Sequence, residues 1–157
     1  TAIAFPREVN PRAQDLAREW RRGLGNNEAI MRQAIDFLRA GKYGYTLLPP
    51  LLGMHSVDEF LFDTKEGFCE HFAGSFVFLM RAAGVPARIV TGYQGGEINL
   101  VDGYMVVRQA DAHAWAASQV IIETRPFLLA CPVPWFRPVL VCGVTVGIPG
   151  RRDGGLT

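Results

Sequence analysis

The chain has 157 residues, 49% of them hydrophobic and 20% charged, enough apolar material for one domain with a sizeable core and too much for a disordered segment. A formal net charge of +1 leaves no electrostatic footprint for nucleic acid and no steering toward acidic membranes. Three cysteines, an odd number, argue against a disulfide framework.

Thr1 begins the chain with neither an initiator Met nor a signal peptide, as expected of a segment from a longer protein. Thr1 to Val9 reads as an extended lead-in. Asn10 is a candidate N-cap and Pro11 suits the first helical position. Ala13, Leu16, Ala17, Trp20 and Leu24 then form one apolar stripe, closed by Gly23 and Gly25. Asn27 is placed to cap a second helix, Glu28 to Ala40, with Ile30, Ala34, Ile35 and Leu38 on one face. Two amphipathic helices in succession read as scaffold. Tyr43 to Leu48 is β-prone and stops at Pro49-Pro50; Tyr43 and Tyr45 read as core, with cleft lining as the alternative. Ser56-Val57-Asp58-Glu59 has the form of a capping box for a short helix through Phe62. His55 reads as a loop residue, and Asp63 to Glu66 as a polar turn.

The next stretch, Gly67 to Arg88, predicts a turn, a helix and a strand. Gly67 permits a tight approach just before Cys69. From Cys69 the apolar residues Phe72, Phe76, Leu79, Met80 and Ala83 follow helical spacing. Gly84 suits the position after the helix, and Pro86 prevents its resumption. Cys69 therefore sits in the first turn of a buried helix. The positive end of a helix dipole stabilises a thiolate, and the free N–H groups there can hold an oxyanion. Taken alone, a cysteine at a helix start is more often a small buried hydrophobe.

Ala87 to Tyr93 predicts a strand, Gln94 to Glu97 a turn, and Gly103 to Arg108 and His113 to Ile122 two further strands. Helices first and strands later predict an α+β domain, its antiparallel sheet packed on the central helix. Asp111-Ala112-His113-Ala114-Trp115-Ala116 supplies an imidazole that is distant in sequence and placeable beside Cys69. Asp111 would share the face of His113 if both lay on a strand. It is the candidate acid partner, with a turn residue as the plainer reading. Trp115 shares the same face, as a cover for the site or as core. His71, two residues after Cys69, reads as a polar residue at the cleft edge.

Residues 1–124 are assigned to this core. From Arg125 the character changes: five of the ten prolines lie in 125–157, and Asp153 is the single acid there. Phe127 to Ile148 is apolar, but Arg137 and three prolines interrupt it, which argues against a membrane span. This part reads as an atypical Pro/Gly-rich tail, aberrant or disordered. Three chemistries are open to the chain. Cys69 and His113 suit thiol-dependent acyl transfer. Cys69, Glu70, His71 and His113 offer metal ligands, although Cys-x-His lacks the spacing of structural zinc pairs and no second pair exists. A non-enzymatic scaffold or binding module is the third. No cofactor and no metal are expected.

The Cys69 helix, the run Arg81-Ala82-Ala83-Gly84-Val85-Pro86-Ala87-Arg88, the strand end Thr91-Gly92-Tyr93 and the box His113-Ala114-Trp115 together resemble the transglutaminase-like superfamily. Within it they are most similar to the bacterial membrane-anchored, periplasmic branch. The resemblance spans Pro11 to Ala116. It implies a papain-like fold with a Cys–His–Asp triad, Cys69 as nucleophile, His113 as general base, and Pro86 and Arg88 as scaffold. It further implies acyl transfer on carboxamides (a protein-glutamine γ-glutamyltransferase or a related peptidase or amidase), a protein or peptide substrate, and the periplasmic domain of an inner-membrane protein. One departure stands out. In the family, two strands follow the His box, and the second ends in the triad Asp, usually before Pro. Here Ala116-Ala117-Ser118-Gln119 follows, no Asp-Pro occurs downstream, and the only later Asp is Asp153. From about Ala117 the sequence reads as frameshifted, mis-spliced or divergent, and poor amide turnover is expected of it.

Overall fold

The structure, a computed structural model, describes residues 3–118 and three strands beyond them, Phe127–Leu129, Phe136–Val141 and Val144–Pro149. Helices α1 (Pro11–Gly23) and α2 (Asn27–Ala40) come first. Strand β1 (Gly44–Tyr45), the short helix α3 (Ser56–Asp58), a π-helical turn (Glu59–Thr64) and strand β2 (Glu66–Gly67) lead to helix α4 (Cys69–Ala82). Strands β3 (Ala87–Tyr93), β4 (Glu97–Ile98), β5 (Met105–Val106) and β6 (Ala112–Ser118) follow, then β7 (Phe127–Leu129), β8 (Phe136–Val141) and β9 (Val144–Pro149). The α+β architecture predicted from the element order is the one observed.

Helix α4 is the hub. It packs against α1 and α2 and also against β3 and β6, and the side chains of Phe72, Phe76, Leu79 and Met80 are buried along it. Its end is built as the sequence predicts. Gly84 takes a left-handed φ of +74°, Gly84 N–H donates to Arg81 O (2.9 Å), and Val85 N–H donates to Met80 O (2.8 Å). This is a Schellman arrangement, which satisfies the last carbonyls of the helix.

The starts of the first helices differ from expectation. Asn10 has φ +57° and does not cap α1. Its Oδ1 instead accepts from Val57 N–H (3.0 Å) and Asp58 N–H (3.3 Å) at the start of α3. Asp58 in turn accepts from Arg12 N–H (2.9 Å) and Ala13 N–H (2.8 Å) at the start of α1. The two helices thus cap each other, because their N-termini abut and each brings an oxygen to the other's orphan donors. His55 joins the same junction, its Nδ1 accepting from Asn10 N–H (3.0 Å). The Ser56 capping box does not form: Glu59 reaches back to Gly53 N–H (2.7 Å). For α2 the cap is Asn26, one residue earlier than predicted. Asn26 is extended and its Oδ1 accepts from Ala29 N–H (2.8 Å), while Asn27 Oδ1 accepts from Arg21 Nη2 (2.8 Å).

The main sheet is antiparallel in the order β3-β6-β7, with Gly92 opposite His113, Val90 opposite Trp115 and Ala116 opposite Leu129. Strand β1 pairs in parallel with β2, Tyr45 lying opposite Gly67. Strands β4 and β5 form a hairpin, as do β8 and β9. Residues 119–122 of the predicted last strand lie outside the described residues, as does most of the predicted tail, 125–157, apart from β7, β8 and β9. Among the described residues, no helix is long and apolar enough to cross a membrane.

Candidate active site

Cys69 is fixed by what precedes it. A Cβ on Gly67 would lie 2.7 Å from Cβ and Cγ of His71 and 2.9 Å from the Phe60 ring, so only glycine lets the chain approach the helix start this closely. Phe68 is extended at the N-cap position. Its N–H donates to His71 Nδ1 (3.3 Å), and His71 N–H donates back to Phe68 O (2.9 Å). His71 therefore closes the helix start. It packs on the rings of Phe60 and Phe68 and lines a second groove on which Cys69 does not open. Its predicted place at the edge of the Cys69 cleft is not the observed one. Burial lowers its pKa below the ordinary 6.5, against a smaller raising effect of Glu70, so the imidazole stays neutral and remains an acceptor. Between these two engaged N–H groups lie those of Cys69 and Glu70, at helix positions that have no intrahelical acceptor.

His113 stands near the start of β6 and is 8% exposed, as is Cys69. Trp115, two residues on, meets its ring edge-to-face with centroids 4.9 Å apart. A Cβ on Gly92 would come within 3.3 Å of the Trp115 ring, so the glycine at this strand end makes room for the indole. Trp115 thus packs against His113 and the sheet and does not line the cleft. Burial lowers the His113 pKa below 6.5, leaving a neutral imidazole at pH 7, the form that can accept a proton.

A cleft of about 960 Å³ joins these elements, and Cys69, Asp111 and His113 all line it. The helix start supplies the thiol and the facing strand the imidazole. Asp111 sits in a 3₁₀ turn (Gln109–Asp111) just before β6, not on the strand. Its Oδ2 accepts from Arg108 N–H (2.9 Å) and its carbonyl from Gln94 N–H (2.7 Å). Tyr45 reaches the cleft because Thr46 N–H donates to Gly67 O (2.9 Å), holding this segment beside the cysteine. Tyr43, by contrast, is core. It stacks on Phe60 at 5.3 Å and donates to Leu61 O (3.0 Å), and burial pushes its pKa to about 12. Among the described residues no three of His, Cys, Asp and Glu gather as a metal-binding group, so the ligand set read from Cys69, Glu70, His71 and His113 is not assembled. Gln94, Gln109 and Glu70 also line the cleft. The two glutamines carried no signal in the sequence, since both lie in segments without periodicity.

A family profile described as Transglutaminase-like superfamily matches residues 14–125. The chain is 47% identical over 113 residues to a protein-glutamine gamma-glutamyltransferase of Pseudomonas aeruginosa, a match covering 72% of this chain and 17% of that protein. It is 44% identical over 120 residues to the uncharacterized protein YebA of Bacillus subtilis, covering 72% of this chain and 16% of YebA. The chain thus spans about a sixth of the length of these relatives. Among solved structures, the periplasmic domain of TgpA from Pseudomonas aeruginosa superimposes with a TM-score of 0.69 at 45% identity, over 74% of this chain and 42% of that one. A candidate cysteine protease from Cytophaga hutchinsonii shares the fold with a TM-score of 0.53 at 18% identity, over 82% of this chain and 39% of that one. The Cys69 helix, the facing His113 strand and these likenesses agree: the chain belongs to the transglutaminase-like superfamily.

Proposed function

We propose that the chain carries the acyl-transfer site of a protein-glutamine γ-glutamyltransferase, with Cys69 as nucleophile and His113 as general base. The observation that carries this reading is the shared cleft: a thiol at a helix start and a neutral imidazole on the facing strand, both opening on the same space. His113 takes the thiol proton, and the Cys69 sulfur attacks the carboxamide carbon of a glutamine side chain. The N–H groups of Cys69 and Glu70 stabilise the oxyanion that forms. The C–N bond breaks, His113 returns its proton, and ammonia leaves behind a thioester. A primary amine then attacks the thioester, His113 takes the amine proton, and the thiolate departs with an isopeptide bond formed. Water in place of the amine gives hydrolysis to glutamate. Asp111 holds the lesser part of acid partner. It lines the same cleft as His113, but one of its oxygens is engaged by the Arg108 N–H. Glu123 and Asp153, the acids that follow His113 in sequence, lie outside the described residues. The likeness to the TgpA periplasmic domain supports a periplasmic setting, and the likeness to a protein-glutamine gamma-glutamyltransferase supports a protein substrate; a membrane-anchored parent is part of the same proposal.

The test is incorporation of a fluorescent primary amine into a glutamine-rich acceptor protein by the full chain. Slow incorporation that Cys69→Ala abolishes is expected. Incorporation that survives Cys69→Ala removes Cys69 from the mechanism. A chain whose Cys69 is inert toward both substrate and alkylating agents is a binding module that keeps the fold.

A further inference from the structure

Beside the Cys69 cleft lies a second groove of about 520 Å³. Its wall is the segment Leu47-Leu48-Pro49-Pro50-Leu51-Leu52, and its floor includes Phe60 and Phe68. The two spaces adjoin along Leu47, Phe68 and Glu70, which line both. Leu48 is 90% exposed and Leu51 fully exposed. With Leu47 also 73% exposed, three large apolar side chains of one short loop face solvent beside the groove, the kind of apolar display that a binding surface explains. The segment is also held in place. Thr46 N–H bonds Gly67 O (2.9 Å), Leu48 N–H bonds Thr46 Oγ1 (3.1 Å), and the two prolines fix their own φ angles. Glu70 and His71, the titratable groups among the lining residues, lie at the end where the helix starts, and the rest of the groove is apolar apart from backbone groups and the Ser56 and Ser75 hydroxyls.

We infer that this groove is a specificity subsite that takes an apolar side chain flanking the reactive glutamine of an extended protein substrate. The inference rests on the acyl-transfer reading and names its substrate class: glutamines with a leucine-like neighbour. The shared rim argues for this occupant, since a substrate chain whose glutamine reaches the sulfur and which runs toward this side passes over Leu47 and Phe68, the residues that line both spaces. A hydrophobic pocket typically discriminates by about tenfold or more for the side chain it fits.

The experiment uses the full chain and short peptides in which glutamine is replaced by a chloromethyl ketone isostere, with leucine, serine or aspartate placed one to three residues to either side. The readout is the rate at which Cys69 is covalently labelled, with iodoacetamide as the small reference reagent. At one flanking position leucine is expected to speed labelling at least about tenfold over serine, with aspartate slowest. In Leu48→Ser and Leu51→Ser the leucine advantage should fall to within about twofold, while the iodoacetamide rate stays unchanged. Both residues are exposed, so neither substitution removes core. Equal rates for all flanks in the unsubstituted chain, or a preference that survives both substitutions, overturns the inference while leaving Cys69 as nucleophile. Failure of iodoacetamide itself to label Cys69 overturns the acyl-transfer reading and the subsite with it. A flank-independent chain that sediments as a dimer, and as a monomer after Leu48→Ser, assigns the groove to a second copy of the chain instead.

Discussion

The imidazole of His113 acts on Cys69 only if it is neutral when the thiol must ionise, and burial at the start of β6 favours that form. In His113→Ala, alkylation of Cys69 should therefore slow at least about tenfold at pH 6 to 7, and much less at pH 9, where an ordinary thiol of pKa about 8.5 ionises unaided. Stopped alkylation assays at the two pH values check this; equal slowing at both indicates lost packing. The lowered values also bear on stability. His71 and His113 both have folded-state pKa values below the 6.5 of the unfolded chain, so the unfolded state binds more protons in that interval. Their contribution is fully present above about pH 6.5 and is lost as pH falls through the lowered folded values. The urea midpoint should drop between pH 7.5 and pH 5, and His71→Gln, which keeps an acceptor for Phe68 N–H, should shrink that drop. An unchanged drop in His71→Gln assigns the effect elsewhere. At this scale the placement of Cys69 at a helix start and of His113 on a strand was readable, because helix spacing and a strand-borne imidazole are local patterns. It was misleading for His71, since sequence separation says nothing about which way a first-turn side chain leans. Here it leans back over Phe68, away from the cleft.

Among the elements, the junction of α1 with α3 is where local pattern and structure part. Asn10 and Asp58 are both ordinary cap residues, and each caps the helix that the other belongs to. No local rule indicates such an exchange, because it exists only once the two helix ends abut. Asp58 is 3% exposed and serves two backbone donors, so Asp58→Ala should cost about 2 to 3 kcal/mol in chemical denaturation. Asn10→Ala combined with it should cost less than the sum of the two, as expected for partners in one network; full additivity contradicts the coupling. The turn before α4 carries a functional prediction. Gly67→Ala forces a Cβ against His71 and Phe60 at under 3 Å, so the helix start must shift. Thermal unfolding should show a loss of about 1 to 3 kcal/mol, and Cys69 alkylation should slow in parallel. The end of the same helix was fully legible, because a glycine followed by Val-Pro has one good use at a helix terminus.

Over the whole molecule, the order of helices and strands was enough to give the α+β architecture, and three short boxes in the right order were enough to give the superfamily. The cleft walls were not legible. Gln94, Gln109 and Glu70 meet there only because β3, the turn before β6 and the start of α4 converge, and convergence is a property of the fold. On the proposed acyl-transfer reading, the acid of the triad falls to the sequence after Ser118. Removing that acid from a serine-protease triad costs on the order of 10⁴ in turnover. A thiol depends less on its base, so the chain should keep a reactive Cys69 and turn over amides slowly. Replacing residues from Ala117 onward with two strands, the second ending in Asp-Pro, should raise amine incorporation by at least about two decades. A chain that already matches the repaired version has its acid elsewhere or does not need one, and either outcome contradicts the argument from the tail.

All of this rests on Cys69 as the nucleophile, and differential alkylation tests that most directly. The native full chain is treated with limiting iodoacetamide at pH 7, quenched, digested and mapped at Cys69, Cys131 and Cys142. Cys69 is expected to be carbamidomethylated first, despite its burial, and to lose that precedence in His113→Ala. Labelling of Cys131 or Cys142 with Cys69 untouched would contradict it.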